Sequence, residues 1–338
     1  MDYQSYLEEL SLWTEDPLSC TFGDFELTRQ CNFTCSMCFI RNNRIAGIEP
    51  ERYVSYAKEA VKHGLLELTL TGGEVFTRAD FFDIYNPIYD LGVILSIMTN
   101  GYLLSKEEIN TLKIRKPHNV YITLYGASDS TYMRICGKSD GFSVVKKHIE
   151  QLLAVGVHVT LQVTLTSKNV RDYKKIIQIS KLYGVPIRVT HRLFDPMDIS
   201  ETDLKDMSKL RLPISQVPTN LLQVEKDRPM NDGILKRCKA MRNSFCVSAE
   251  NHLQLCQRCA FVYEDLYEKD FITALESLRT RLNGFSVPIK CKKCQLSRYC
   301  DLCLGGLHKS SVGEIVPYES VCLYARRERD IELMNQEV

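Results

Sequence analysis

The stretch that decides the fold is Cys31-Asn-Phe-Thr-Cys35-Ser-Met-Cys38, which directly follows a short β-type run at Phe25–Thr28. Three thiolates at this spacing can hold three irons of a 4Fe–4S cluster and leave the fourth iron open to another ligand. A zinc site is the alternative, although structural zinc normally has four protein ligands. The spacing therefore favours an iron–sulfur cluster at the end of a first strand.

Working outward, short runs rich in Val, Ile, Leu, Thr and Tyr alternate with helical apolar spacing from Asp24 to Thr190. The predicted strands are Phe25–Thr28, Leu66–Leu70, Val93–Met98, Val120–Leu124, Val157–Leu165 and Ile187–Thr190. The predicted helices are Tyr53–His63, Asp80–Leu91, Lys106–Ile114, Val144–Ala154 and Tyr173–Tyr183. Such repeats imply a parallel sheet with right-handed crossovers, too few for a closed eight-stranded barrel. We therefore predict an α/β fold with a partial (β/α)6 TIM-like barrel.

The rest of the chain divides by composition. Nine cysteines lie between Cys238 and Cys322, where long helices and strand periodicity are scarce. We expect an N-terminal segment at 1–23, the barrel at 24–192, a polar connector at 193–237, a cysteine-rich cluster domain at 238–322 and a C-terminal helix or tail at 323–338.

Charge and cysteine content exclude several classes of protein. The net charge of +1 gives no nucleic-acid footprint. No apolar run approaches the roughly 18 residues of a transmembrane helix, and no signal-peptide core precedes Glu15. A cytoplasmic location is therefore expected, without a membrane or nucleic-acid partner. Cytosolic thiols stay reduced, so the 14 cysteines favour metal binding over disulfides.

Two further motifs resemble the radical S-adenosylmethionine (SAM) superfamily, as does the CxxxCxxC spacing itself. Thr71-Gly72-Gly73-Glu74 follows the second predicted strand, and Thr99-Asn100-Gly101 follows the third. The resemblance implies that Gly72, Gly73 and Glu74 receive the methionine amino group of SAM, while Thr99 and Asn100 lie near the ribose. Met37 occupies a position that is often aromatic in the family.

Four more residues are candidates for the same pocket. Arg134 stands where related peptide-modifying members place an arginine on the SAM carboxylate, and a surface arginine is the alternative. Gln162 and Thr164, on the fifth predicted strand, either line the pocket or face solvent or the core. His191 follows the last barrel strand and is read either as a pocket residue or as a structural histidine.

The C-terminal cysteines resemble the SPASM domain, which carries two auxiliary 4Fe–4S clusters. They read Cys238-x7-Cys246-x9-Cys256, then Cys291-xx-Cys294-x5-Cys300-xx-Cys303, then Cys322. The resemblance implies one cluster on Cys238, Cys246, Cys256 and Cys303, and another on Cys291, Cys294, Cys300 and Cys322. Cys20, Cys136 and Cys259 stay unassigned, although Cys259 could replace Cys256. Asn251 stands where the family often has glycine, and asparagine suits the same left-handed turn.

The implied function is that of a radical SAM enzyme with three 4Fe–4S clusters. It would cleave SAM reductively to a 5′-deoxyadenosyl radical and oxidatively modify a peptide. The expected partners are a reductant such as flavodoxin or ferredoxin and a separate peptide-recognition protein, or none. The alternatives are a dehydrogenase of a small alcohol or amino sugar, a sulfatase-maturating type of enzyme and a non-catalytic metal scaffold. Gln257 argues against the sulfatase type, which has an Asp base at that position.

Overall fold

The computed structural model describes residues 18–40, 44–197, 201–222, 243–283, 285, 287–300, 302–310 and 312–336. Its first part confirms the predicted partial barrel of parallel strands. The strands are β1 (Phe22–Glu26), β2 (Glu67–Thr71), β3 (Ile94–Thr99), β4 (Asn119–Thr123), β5 (Val159–Thr164) and β6 (Ile187–Thr190). These six strands lie side by side in chain order. Their order follows from successive right-handed crossovers.

Helices cover the outer face of this sheet. They are α1 (Pro50–Lys62), α2 (Phe81–Tyr89), α3 (Lys106–Ile114), α4 (Asp129–Cys136), α5 (Gly141–Ala154) and α6 (Tyr173–Tyr183). Each helix buries an apolar stripe, as Tyr53, Tyr56, Ala57 and Ala60 do on α1. Strand and helix bounds agree with those predicted within a few residues, because both periodicities are set by burial on one face.

Helix α4 is not among the predicted helices, although its ends carry clear signals. The Ser128 hydroxyl accepts a hydrogen bond from the Thr131 N–H at 3.3 Å, which caps the first turn. Gly137 ends the helix at φ 73°, a left-handed conformation that favours glycine. With eight residues, α4 is too short to show the helical spacing that identified its neighbours.

Strand side chains alternate between two environments, and this alternation places the polar residues. On β5, Leu161 and Val163 are buried in the hydrophobic core, while Gln162 and Thr164 line a cavity on the other face. Gln162 is paired in register with Thr123 of β4, and Thr164 with Thr190 of β6. The carboxyl ends of the strands therefore present a row of polar side chains at one level.

The cysteine-rich part continues the same sheet, a feature that cysteine spacing does not predict. Strand β7 (Ser244–Val247) pairs in parallel with β1, and β8 (His252–Gln254) and β9 (Glu264–Asp265) follow in antiparallel order. Asn251, in the β7–β8 turn, has φ 65°, so the predicted left-handed conformation is confirmed. Its side-chain oxygen accepts a hydrogen bond from Tyr56 at 2.9 Å, which joins this turn to α1.

Helices and a small second sheet complete the structure. They are α7 (Glu201–Leu210), α8 (Phe271–Asn283), α9 (Ile289–Lys292), β10 (Leu307–Lys309), β11 (Ile315–Pro317) and α10 (Glu319–Gln336). The segment predicted as a polar connector, 193–237, contains the helix α7. The C-terminal helix begins at Glu319, before the segment expected at 323–338, so Cys322 lies in its first turn. Among the described residues, no helix combines the length and apolarity needed to cross a bilayer.

Candidate active site

The three cysteines of the first motif lie in the loop that follows β1. Cys31, Cys35 and Cys38 are half-buried and line a cavity of about 500 Å³. Two backbone hydrogen bonds fix this loop to the end of α4, because Thr34 N–H donates to the Cys136 carbonyl at 3.1 Å and Ser36 N–H to Ile135 at 2.9 Å. The missed helix α4 is thus the support of the cysteine loop.

The opposite walls come from the carboxyl ends of five strands and from the cysteine-rich part. The lining residues that follow or end strands are Thr71, Gly72, Gly73, Met98, Thr99, Asn100, Thr123, Tyr125, Gln162, Thr164, Thr190, Arg192, Leu193 and Phe194. Gln257 lines the cavity from the cysteine-rich part. Gln162 and Thr164 are thus brought to the cavity, and so are Met37 and Phe39 of the cysteine loop.

The two glycines of the TGGE motif are required by a close backbone approach. A Cβ on Gly72 would lie 2.3 Å from the Thr28 carbonyl oxygen, and one on Gly73 would lie 2.4 Å from that of Gln30. Gly73 N–H donates to the Thr28 carbonyl at 2.7 Å, and Glu74 N–H to Gln30 at 2.9 Å. The glycines therefore let the β2 loop pack directly against the chain that leads into Cys31.

Glu74 lies behind this wall rather than on it. Its carboxylate accepts hydrogen bonds from the Thr99 hydroxyl at 2.7 Å, the Asn100 N–H at 2.6 Å and the Phe76 N–H at 3.2 Å. The side chain is buried, and burial raises its pKa to about 7. Glu74 thus holds the ends of β2 and β3 together, and its pairing with the methionine ammonium stays a prediction.

Asn100 links the TNG turn to the cysteine loop. Its side-chain NH₂ donates to Asn32 Oδ1 at 2.8 Å and contacts the Cys31 sulfur at 3.8 Å, while its oxygen accepts from Tyr102 N–H at 2.9 Å. Thr99 and Asn100 both face the cavity, so the structure brings the three predicted motifs to one site.

The structure does not bring Arg134 to the cavity. This side chain is exposed on α4, and its guanidinium donates to the Thr131 hydroxyl at 2.9 Å and the Lys168 carbonyl at 3.3 Å. The arginines on the cavity wall are Arg29 and Arg192 instead. Arg192 is paired with Glu328 of α10 at 2.7 Å. Successive residues of an extended chain face opposite sides, so His191 faces away from the cavity that Arg192 lines. The His191 ring contacts the ring of Tyr324 instead.

Electrostatics at the cysteine loop fit a metal centre. Burial raises the pKa of the Cys31 thiol to about 12, and Glu74 and the two neighbouring thiols add to this shift. Hydrogen bonds from Cys136 and Tyr125 lower the pKa of Cys35, which outweighs its burial. Three adjacent thiolates repel each other until a metal neutralises them, so this soft donor set fits an iron–sulfur cluster. Among the described residues, no group of three or more His, Cys, Asp or Glu side chains is arranged closely enough to hold one metal ion. The three sulfurs therefore do not converge on a single point.

One set of the C-terminal cysteines does come together. Cys291, Cys294, Cys300 and Cys322 line a single cavity of about 50 Å³. Burial is the main cause that raises the pKa of Cys300 to about 11, and the other three thiols raise it further. The structure therefore places around one cavity the four residues that the resemblance grouped together. Cys291 lies on α9 and Cys322 on α10, while Cys294 and Cys300 lie in the chain after α9.

The other set is described only in part. Cys246 is buried on β7, and Cys256 follows β8 closely enough to contribute to the raised pKa of the Cys246 thiol, after burial and two carboxylates. Cys303 and Cys256 both lie close enough to Arg258 to oppose the lowering of its guanidinium pKa by burial. The predicted fourth member, Cys238, lies outside the described residues. Cys259 is fully buried in the hydrophobic core.

Comparisons with known proteins agree with this geometry. Residues 25–191 match the model of the radical SAM superfamily. A probable GTP 3′,8-cyclase of Saccharolobus solfataricus is 32% identical over 163 residues, which is 47% of this chain and 52% of that protein. The antilisterial bacteriocin subtilosin biosynthesis protein AlbA of Bacillus subtilis is 23% identical, over 93% of this chain and 72% of AlbA. The chain spans about half the length of most of its first curated relatives.

A solved structure extends the fold comparison to both parts of the chain. The structure of native anSMEcpe with bound AdoMet and the Cp18Cys peptide has a TM-score of 0.62 at 16% identity. It covers 94% of this chain and 98% of that one. At this identity the likeness concerns the fold, and it includes the cysteine-rich part.

Proposed function

Because this chain belongs to the radical SAM superfamily, we propose that it cleaves SAM reductively and uses the resulting radical to modify a peptide oxidatively. When a reduced 4Fe–4S cluster is bound, it supplies the electron that breaks SAM into methionine and a 5′-deoxyadenosyl radical. The observation that carries the proposal is one cavity bounded by all three N-terminal cysteines, by the TGGE and TNG loops and by Gln257.

Different residues around that cavity would bind the cluster and SAM. Cys31, Cys35 and Cys38 would hold the cluster, and their loop is fixed through four backbone hydrogen bonds to α4 and to the TGGE loop. Gly72 and Gly73 would offer backbone atoms to SAM, since no side chain screens them. A cavity of about 500 Å³ lies in the usual range for small-molecule sites.

SAM also needs a partner for its carboxylate. Arg134, the predicted partner, points away from the cavity, whereas Arg192 lies on the wall. We assign the SAM carboxylate to the side of the cavity that carries Arg192, with Arg134 as the predicted alternative. Gln162 would then hydrogen-bond the ribose or the adenine from β5.

The cysteine-rich part would hold two auxiliary clusters, three in all. The cavity formed by Cys291, Cys294, Cys300 and Cys322 supports one of them. The other would use Cys246, Cys256 and Cys303 with Cys238, so that the predicted domain at 238–322 carries both. A nearby oxidant for a substrate radical favours a net oxidation over redox-neutral chemistry.

A peptide is the favoured substrate class. AlbA is named for the biosynthesis of a bacteriocin, and anSMEcpe is described with a bound peptide. Gln257 speaks against the sulfatase-maturating type, because it lines the cavity with an amide that cannot take up a proton as an Asp base would. A flavodoxin or ferredoxin would supply electrons, and a separate protein would recognise the peptide if one is needed.

The test is anaerobic incubation of the reconstituted chain with SAM, a reductant and candidate substrates, read by mass spectrometry. We expect a peptide product lighter than its precursor by about two hydrogens, with SAM consumed as a co-substrate. Turnover of small alcohols or amino sugars alone would favour the dehydrogenase alternative. A peptide product of unchanged mass that carries solvent deuterium would contradict a net oxidation.

A further inference from the structure

The cysteine loop can be approached from outside the cavity, on the side where α4 supports it. Thr34, next to Cys35, is exposed, and its hydroxyl donates to the Cys136 carbonyl at 3.3 Å. Gly137, at the end of α4, is also exposed, and a Cβ added to it would lie 2.8 Å from the Thr34 hydroxyl oxygen. The exposed end of α4 is therefore in direct contact with the loop that carries the three cysteines.

Hydrogen bonds cover the carbonyl end of α4 at this contact. The third and fourth of its last four carbonyls, Met133 to Cys136, accept from the N–H groups of Ser36 at 2.9 Å and Thr34 at 3.1 Å. The first accepts from the Gly137 N–H at 3.2 Å, and the second from the Lys168 ammonium at 3.1 Å. A helix C-terminus normally presents partial negative charge, and here donors offset that charge at all four carbonyls.

Positive side chains lie around the same contact. The Lys168 ammonium also donates to the Ser36 hydroxyl at 3.1 Å, so it stands directly beside the cysteine loop. Arg134 is exposed, and its guanidinium donates to the Lys168 carbonyl at 3.3 Å. The two cations are thus held next to each other, and neither bonds a carboxylate in these contacts.

A third cation and an apolar side chain extend this surface. The Lys138 ammonium lies 5.4 Å from the ring centroid of Tyr102, whose hydroxyl bonds Asp140 at 3.0 Å. Met133 is 55% exposed and, four residues before Gly137, shares its side of the helix. We call the surface formed by Thr34, Met133, Arg134, Gly137, Lys138 and Lys168 the α4 face. It carries three cations, with Asp140 as the acid at its border.

We propose that the α4 face is the docking surface for an acidic electron-carrier protein, from which one electron passes to the cluster held by Cys31, Cys35 and Cys38. The carrier, a reduced flavin or iron–sulfur protein, is oxidised by one electron and the cluster is reduced by one. The inference rests on the proposed function, because it requires that cluster. Electron-transfer complexes use small interfaces, in which complementary charge mainly raises the association rate. An exposed methionine among cations suits such an interface, since methionine and arginine are enriched at protein contacts.

The experiment compares reduced flavodoxin, an acidic flavin protein, with dithionite as reductants of the anaerobically reconstituted chain. Met133→Glu combined with Lys138→Gln lowers the charge of the α4 face by two and leaves every predicted ligand in place. At low ionic strength we expect cluster reduction by flavodoxin to slow at least tenfold, and the affinity for oxidised flavodoxin to weaken with it. Added salt should reduce the difference from the wild-type chain, because it screens surface charge. Formation of 5′-deoxyadenosine with dithionite should stay unchanged.

The matched control combines Leu182→Glu with Lys181→Gln, which makes the same change of charge at the other end of the sheet. Both side chains are exposed near the end of α6, which leads into the start of β6. This control should keep the wild-type rate with both reductants. An unchanged flavodoxin rate in the α4-face variant, or equal slowing in the control, would overturn this inference alone.

Two further outcomes would also overturn it. One is a wild-type chain that dithionite reduces but neither flavodoxin nor ferredoxin does. The other is slower peptide modification with dithionite in the α4-face variant, which would assign the face to the peptide. If that variant loses iron, Met133→Glu alone decides, because it changes only an exposed side chain: slowing of at least threefold supports the inference, and an unchanged rate contradicts it. A wild-type chain that forms no 5′-deoxyadenosine even with dithionite would overturn the proposed function instead.

Discussion

The barrel and the cysteine-rich part encode their structures in different ways. In the barrel, chain order equals sheet order, and apolar periodicity marks nearly every strand and helix. In the cysteine-rich part, the spacing of cysteines predicts a set of four that the structure places around one cavity, whereas apolar periodicity did not predict β7 or α8. Burial fixes periodicity, and metal binding fixes ligand spacing, so the two signals are independent.

The largest expected effect tests whether SAM cleavage requires the cysteine loop of the barrel. Replacing Cys31, Cys35 and Cys38 together by Ala should remove about a third of the iron, because one of three four-iron clusters is lost. It should abolish 5′-deoxyadenosine formation, since no electron can reach SAM. Iron content and product are measured after anaerobic reconstitution. Stoichiometric zinc in the anaerobically purified wild-type chain would contradict the assignment.

The second prediction separates the two parts. The double substitution Cys291→Ala and Cys300→Ala removes two of the four residues around the smaller cavity. We expect it to cost about a third of the iron, while SAM cleavage continues and the oxidised peptide product disappears. Chromatography of 5′-deoxyadenosine beside mass spectrometry of the peptide checks this. Loss of both 5′-deoxyadenosine and the oxidised peptide would contradict this separation, because SAM cleavage in the barrel would then depend on the cysteine-rich part.

The sequence predicts a site residue well when its neighbours in the site are also its neighbours in the chain. Gly72 and Gly73 line the larger cavity, and the four cysteines Cys291, Cys294, Cys300 and Cys322 line the smaller one, because short motifs and residue spacing determine such local placement. Their roles as SAM and cluster ligands stay predictions. The surroundings of Glu74 and Arg134 were not predictable. Whether a carboxylate meets an ammonium or three protein donors depends on β3, which is distant in sequence. The support that α4 gives to Cys35 is equally non-local.

The substitution Glu74→Gln tests whether Glu74 supports the cavity wall or binds SAM, and its expected effect on stability is intermediate in size. The substitution puts an amide NH₂ beside the N–H of Asn100 or removes an acceptor from the Thr99 hydroxyl. A buried donor left unsatisfied costs about 1–3 kcal/mol. If Glu74 supports the wall, this loss should appear in the unfolding free energy of the protein without SAM. Exposed Glu107→Gln is the matched control. Loss of SAM affinity at unchanged stability would instead favour the predicted ammonium contact.

The smallest expected effect concerns the link between the two parts. Helix α10 carries Cys322 and also holds the loop after β6 that lines the larger cavity. Leu193 N–H donates to the Tyr324 hydroxyl at 2.7 Å, and Arg192 pairs with Glu328 at 2.7 Å. Both Leu193 and Tyr324 are buried, so water cannot replace the hydroxyl. Helix α10, which begins in the cysteine-rich part, thereby positions one wall of the larger cavity.

Tyr324→Phe removes only this hydroxyl and leaves the Leu193 N–H without an acceptor. The cost of about 1–3 kcal/mol should appear mainly as weaker SAM binding, by roughly tenfold, because the wall loop loses its anchor. Iron content should stay complete, since Cys322 is untouched. Tyr183→Phe is the matched control, because its hydroxyl binds Glu150 at the surface, and it should change stability by no more than about 0.5 kcal/mol. Isothermal titration with SAM under anaerobic conditions measures the affinity. Unchanged affinity in Tyr324→Phe would mean that the barrel forms its cavity without help from the cysteine-rich part.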